Sequence, residues 1–171
     1  MKKILLLFLI LVCIFAFPQG AIAASSTTSA ILTADQMSAI EITVTGTESP
    51  WALSPGTTFT ENNTLQVVVN STANWGVGAS DADTTNTNGF MTDWSGSAYV
   101  PGTKLAHALQ VNANGGSYVT LPAGGSLLTG TAGTSQVSYP LGFQQQVTYT
   151  DPLLPNPNVY RIVVTLTGTT I

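Results

Sequence analysis

The sequence predicts an all-β fold, a single antiparallel β-sandwich of about seven to nine short strands behind an N-terminal signal peptide. Three observations lead there. Past residue 23 the chain holds 26 Thr and 14 Ser in 148 residues, and Thr is the polar residue whose branched Cβ suits an extended backbone while its hydroxyl meets water. Apolar residues recur with period two in several runs, the mark of a strand with one buried face. Gly, Pro and Asn clusters punctuate those runs, and no convincing amphipathic helix interrupts them.

In chain order, Lys2 and Lys3 open a 14-residue apolar run over 4–17 that ends in Pro18, Gln19, Gly20 and then Ala21, Ile22, Ala23. A positive start, a short apolar stretch and a small-residue A-x-A exit predict a secretory signal peptide over 1–23, too short to span a bilayer comfortably. A polar segment follows over 24–38, a candidate exchanged strand, with a capped helical turn plausible only near 33–39. The sandwich domain is then expected over 39–171.

Within it, residues 39–45 place Ile40, Ile42 and Val44 on one face and Glu41, Thr43 and Thr45 on the other. Residues 64–70 turn Leu65, Val67 and Val69 inward, and 105–112 align Leu105, His107, Leu109 and Val111. The strongest run is 160–167, where Tyr160, Ile162, Val164 and Leu166 alternate with Arg161, Val163, Thr165 and Thr167. Weaker strands are expected at 76–80, 118–121, 126–129 and 144–150. Breakers such as Pro55-Gly56, Asn88-Gly89, Pro101-Gly102 and Asn114-Gly115 separate them. The stretch 80–102 lacks alternation and reads as an elaborated loop. Short strands with a turn between each pair are the pattern of immunoglobulin-like and jelly-roll-like sandwiches.

Only 7% of the chain is charged, against about a quarter in an ordinary domain. Removing the signal peptide leaves Lys104 and Arg161 against eight acids, a formal net charge of −6. Two isolated bases cannot neutralise a phosphate backbone or an anionic bilayer, so neither nucleic acid nor membrane is an expected partner of the processed chain. The single cysteine, Cys13, falls inside the signal peptide. Its removal leaves no disulfide, no thiolate metal ligand and no thiol nucleophile.

Four groups of residues invite a functional reading. Asp81, Asp83 and Asn86 offer oxygen at alternate positions, as a calcium loop does, although Asn86 stands where the turning Gly belongs; the alternative is an exposed polar loop, and no other cofactor is expected. Trp94 and Tyr99, in the long loop, could form a platform for a sugar ring, whereas Trp51 and Trp75 sit beside apolar positions and are expected in the core. His107, the only histidine, falls on the apolar face of its run and reads as a core residue. No nucleophile elbow or paired carboxylates accompany it, so no enzyme is expected. Asn62-Asn63-Thr64 and Asn70-Ser71-Thr72 are glycosylation sequons that would decorate the ends of one strand at Asn62 and Asn70.

The order of these pieces resembles a class of proteins. A signal peptide is followed by Ile40-Glu-Ile-Thr-Val-Thr-Gly46, Trp51-Ala-Leu53-Ser-Pro-Gly56, Leu65-Gln-Val-Val-Val-Asn70, Asn74-Trp-Gly-Val77, the Gly89-Phe-Met91 turn and the 160–167 strand. This is similar to small secreted β-sandwich proteins of prokaryotic cell surfaces, especially of methanogenic archaea, and more loosely to WxL-type wall-binding domains. The resemblance implies a structural envelope protein of the sheath or fibre type, located outside the cell. It departs from the wall-anchored type in carrying one Trp-x-Leu, Trp51 to Leu53, and no second.

Physical chemistry leads to the same expectation. Edge strands ordinarily carry charge, above all Lys, to block pairing with another chain. Here 40–45 carries one charge, 65–70 none, and 159–171 only Arg161. Such strands favour pairing between copies, so the expected partner is a second copy of the chain. Ile31 and Leu32, or Ile162, Val164 and Leu166, would lie on the strand that completes a neighbour's sheet. The competing expectation is a monomeric adhesin or carbohydrate-binding module that contacts cell-wall or surface glycans.

Overall fold

The computed structural model describes residues 33–121 and 125–171. The expected signal peptide (1–23), Cys13, most of the 24–38 segment and the candidate assembly residues Ile31 and Leu32 lie outside the described residues. Among those described, the chain is all-β, with eleven strands in three antiparallel sheets. They are β1 (Ile40–Gly46), β2 (Thr58–Ser71), β3 (Trp75–Asp81), β4 (Thr92–Trp94), β5 (Tyr99–Lys104), β6 (Gln110–Ala113), β7 (Val119–Thr120), β8 (Gly125–Gly130), β9 (Thr134–Gln146), β10 (Val159–Arg161) and β11 (Val164–Thr170). The helical turn considered for 33–39 does not form; those residues have no regular structure.

A five-stranded sheet runs in the order β1-β2-β9-β6-β7, and two three-stranded sheets run β10-β4-β5 and β11-β3-β8. Residues Gln36–Ile171 form one compact unit. Its core draws on both of the larger faces: Val67 and Val69 of β2, Val111 of β6 and Leu141 and Phe143 of β9 meet Trp75, Val77 and Ala79 of β3. Trp75 is completely buried, and its indole N–H donates to Thr134 Oγ1 at 2.9 Å, so the large ring is buried without an orphaned donor. Gly130 makes room for it, since a Cβ there would stand 2.3 Å from the indole.

Several elements differ from the sequence reading, each for a local reason. The strand expected at 64–70 starts earlier, at Thr58, because Asn63 takes a left-handed φ of 70° and the ladder slips between Asn62 and Gln66. Asn tolerates that conformation, so the polar 61–63 stretch bulges without ending the strand. Its partner β9 covers 134–146, whereas a strand had been expected at 144–150. Pro140 sits inside β9 beside the slipped register, where its missing N–H spoils no regular ladder.

The run 105–112 is strand only from Gln110 onward. Leu105 N–H bonds to Met91 O and Leu109 N–H to Gly89 O, so the preceding residues form a connection in which Leu105 and Leu109 are buried and His107 is exposed. The expectation of an inward His107 is therefore corrected: alternation cannot be extrapolated across a segment that is not a strand. The long 80–102 loop contains β4 and β5. The 160–167 run is two strands: β10 pairs with β4, while β11 leaves to pair with β3. The same apolar face continues across the break, since Ile162, Val164 and Leu166 all pack against the core.

Candidate functional site

Asp81, at the end of β3, is 6% exposed. Its carboxylate accepts hydrogen bonds from Asp83 N–H at 2.9 Å, from the Thr87 hydroxyl at 2.6 Å and from Gly89 N–H at 2.6 Å. Asp83 in turn accepts from Asn86 N–H at 3.1 Å and Asn86 Nδ2 at 2.7 Å. The side-chain hydrogen bond from Asn86 holds the Asp83 carboxyl below its ordinary range. The three residues read as calcium ligands do come together, but their oxygens are engaged by the turn's own donors. Among the described residues no group of three His, Cys, Asp or Glu side chains is placed to hold a metal ion. The arrangement shapes a turn: it fixes the segment that carries Gly89 toward β4. Asp81→Ala removes an acceptor of three hydrogen bonds from this buried site and is expected to cost about 3 kcal/mol, read from thermal unfolding. Calcium or a chelator is expected to leave the wild-type melting temperature unchanged.

Trp94 and Tyr99 are register partners on β4 and β5, with ring centroids 5.0 Å apart in an edge-to-face arrangement. Both are half-buried. The Arg161 guanidinium of β10 lies 4.3 Å from the Trp94 ring centroid and 6.0 Å from that of Tyr99, so one face of the expected sugar platform is covered by a cation. Lys104 lies in the same way 4.0 Å from the Phe90 ring centroid. The two basic residues of the domain thus both lie against rings beside or within the small sheet, a use that sequence spacing did not reveal. Burial pushes the Tyr99 hydroxyl above its ordinary pKa range, and that hydroxyl has no hydrogen-bond partner among the described residues. Tyr99→Phe is expected to raise unfolding stability by about 1 kcal/mol; a fall measured in urea would mean the hydroxyl has a partner after all.

The sequon asparagines are both employed within the fold. Asn62 is exposed, and its Oδ1 accepts from Tyr118 OH at 3.1 Å. Asn70 donates to Glu41 at 3.2 Å and accepts from Gln136 N–H at 2.7 Å. Both stand on β2.

The features that bear most directly on association are the sheet edges. Among the described residues β1 hydrogen-bonds only to β2, and β11 only to β3. The two edges lie against each other across the core, since a Cβ at Gly168 of β11 would stand 3.0 Å from Ile40 Cδ1 and Ile42 Cγ2 of β1. Glu41 is the single charged residue of β1, and β11 has none. Arg161, which seemed to guard the C-terminal strand, belongs to β10 and to another sheet. The uncharged 65–70 stretch lies between β1 and β9, so its lack of charge reflects an interior position. β8, a further uncharged edge, was not singled out by sequence reasoning. Ile162, Val164 and Leu166 turn their side chains to the core. What β11 offers outward is its backbone N–H and C=O groups together with exposed Thr165, Thr167 and Thr169.

No protein-family model matches the chain, and no curated protein matches it.

Proposed function

We propose that the chain is a secreted structural protein of the cell envelope, a β-sandwich subunit of a sheath, fibre or surface layer that assembles by strand pairing between copies at β1 and β11. One observation carries the reading: the first and last strands of the domain are both free edges, and together they bear a single charge, Glu41. An uncharged edge presents unpaired backbone donors and acceptors to any similar edge, and soluble proteins ordinarily guard against this with charge, Pro or a bulge. The shared core of the five-stranded sheet and the β11-β3-β8 sheet supports the sandwich architecture, immunoglobulin-like or jelly-roll-like in its layering. The signal-peptide pattern over 1–23 supports export. In this reading the protein is not an enzyme, needs no cofactor and has its own copies as principal partner.

Electron microscopy and sedimentation of the processed chain, with both termini intact, test the proposal. Regular polymers are expected. A species that stays a monodisperse monomer at high concentration would overturn it, and specific saturable binding by that monomer on a glycan array would establish the adhesin alternative instead.

A further inference from the structure

A second surface on the domain is suited to contact between copies, and it is not a sheet edge. A groove of about 800 Å³ is lined by Trp51, Leu53, Met91, Leu105, Tyr149 and Val159, among others. Beside it runs the 151–158 segment, Asp-Pro-Leu-Leu-Pro-Asn-Pro-Asn. Pro152 and Pro155 fix their own φ angles and disfavour helix in the residues before them, which keeps Leu153 and Leu154 extended. Leu153 is 98% exposed and Tyr149 86% exposed, the two most exposed large apolar side chains among those described.

Looseness does not explain that exposure, because the segment is tied down at both ends. The Asp151 carboxylate accepts from Ala106 N–H at 2.6 Å, from Thr148 N–H at 2.6 Å and from the Thr148 hydroxyl at 3.1 Å. The Tyr160 hydroxyl donates to Pro152 O, and Asn158 Nδ2 donates to Asp93 at 2.8 Å. A side chain held out on an anchored loop loses little conformational freedom when it is buried by a partner.

We propose that this groove receives Leu153 of a second copy while that copy's groove receives Leu153 of the first, in a two-fold contact. Three features select a copy of the chain as the occupant. The projecting residue and the groove belong to one patch, which is the condition for a self-complementary interface that closes on a two-fold axis. Asp151 is the only charged residue in the lining, and its oxygens are taken up by three donors. Two copies of a chain with a surplus of acids can therefore approach here with little charge repulsion. Finally, the polar side chains Asp151, Asn158 and Tyr160 in the wall already have partners, so an incoming group needs only an apolar surface.

The choice of a second copy rests on the assembly reading, and the test separates the two. In a Thr43→Lys/Thr167→Lys background, where edge pairing is blocked, sedimentation equilibrium is expected to show a dimer. Adding Leu153→Asp is expected to weaken that dimer at least about 100-fold, the effect of two symmetric Leu burials lost. Since Leu153 contacts almost nothing in its own chain, the melting temperature of the monomer should not move, and Tyr149→Ser serves as a second, independent variant of the patch. A dimer indifferent to both substitutions, or a monomer in the edge-blocked background, overturns the groove contact and leaves the strand-edge reading intact. A wild-type chain that forms a dimer sensitive to Leu153→Asp but never a polymer supports the groove and overturns the strand-edge reading.

Discussion

Lysine at Thr43 of β1 and Thr167 of β11 together is expected to abolish polymer formation while leaving the fold in place. Both residues are exposed, and each lies on a strand with one free side. The ammonium groups bring desolvation and like-charge repulsion to any attempt at edge pairing, which is how natural edges are protected. Neither side chain touches the core, so the cost to folding should stay within about 0.5 kcal/mol. Thr60→Lys is the matched control: it is equally exposed but sits on β2, between β1 and β9. Polymers should survive that substitution, read by electron microscopy and by sedimentation at equal concentration. If Thr60→Lys were as damaging as the edge pair, the effect would belong to net charge and the edge argument would fail.

Trp75→Ala is expected to have the largest effect on stability. The ring is fully buried, its N–H bonds to Thr134, and Tyr139 lies 5.7 Å away at an interplanar angle of 57°. Truncation loses the transfer energy of the ring and leaves a cavity between β3 and β9, at a cost of about 3–5 kcal/mol. Against a total of about 5–15 kcal/mol for an ordinary domain, that corresponds to a melting temperature lower by about 10–20 °C. Circular dichroism and fluorescence melts would measure it. Gly130→Ala probes the same contact from the other side, adding a methyl where the indole already stands, and should also destabilise. Trp51→Ala should cost less, because that ring is only half-buried, stacked on Phe59 at 4.8 Å.

What could be read in advance was what a strand reports about itself. Ile40 and Ile42 against Glu41 and Thr43, or Val67 and Val69 against their exposed neighbours, announce a half-buried strand, because side-chain direction alternates at every residue. The core position of Trp75 was legible from Asn74-Trp-Gly-Val77 for the same reason. The oxygen-rich 81–89 stretch was legible as a turn. Its function as a turn with satisfied carboxylates required knowing that Thr87 and Gly89 fold back onto Asp81. The Arg161 guanidinium over Trp94 joins residues far apart in sequence, and no local pattern records such a meeting. The Leu153 loop beside its groove was passed over because Pro-rich segments signal only the end of a strand, not what lies next to them.

The sequence by itself determined the β class, the extended backbone of most strands, the identity of the central Trp and the scarcity of guarding charge. Those follow from residue type and spacing within a few positions. Only the tertiary structure decided which strands are edges. Sheet order is set by pairing between distant segments: β9 comes to separate β2 from β6, and the last apolar run divides so that β10 joins β4 while β11 joins β3. An uncharged strand means burial at 65–70 and exposure to a partner at Val164–Thr170, although the two read alike. The physical reason is that a strand's side chains encode its two faces, whereas its edges are backbone, which is the same in every residue but proline.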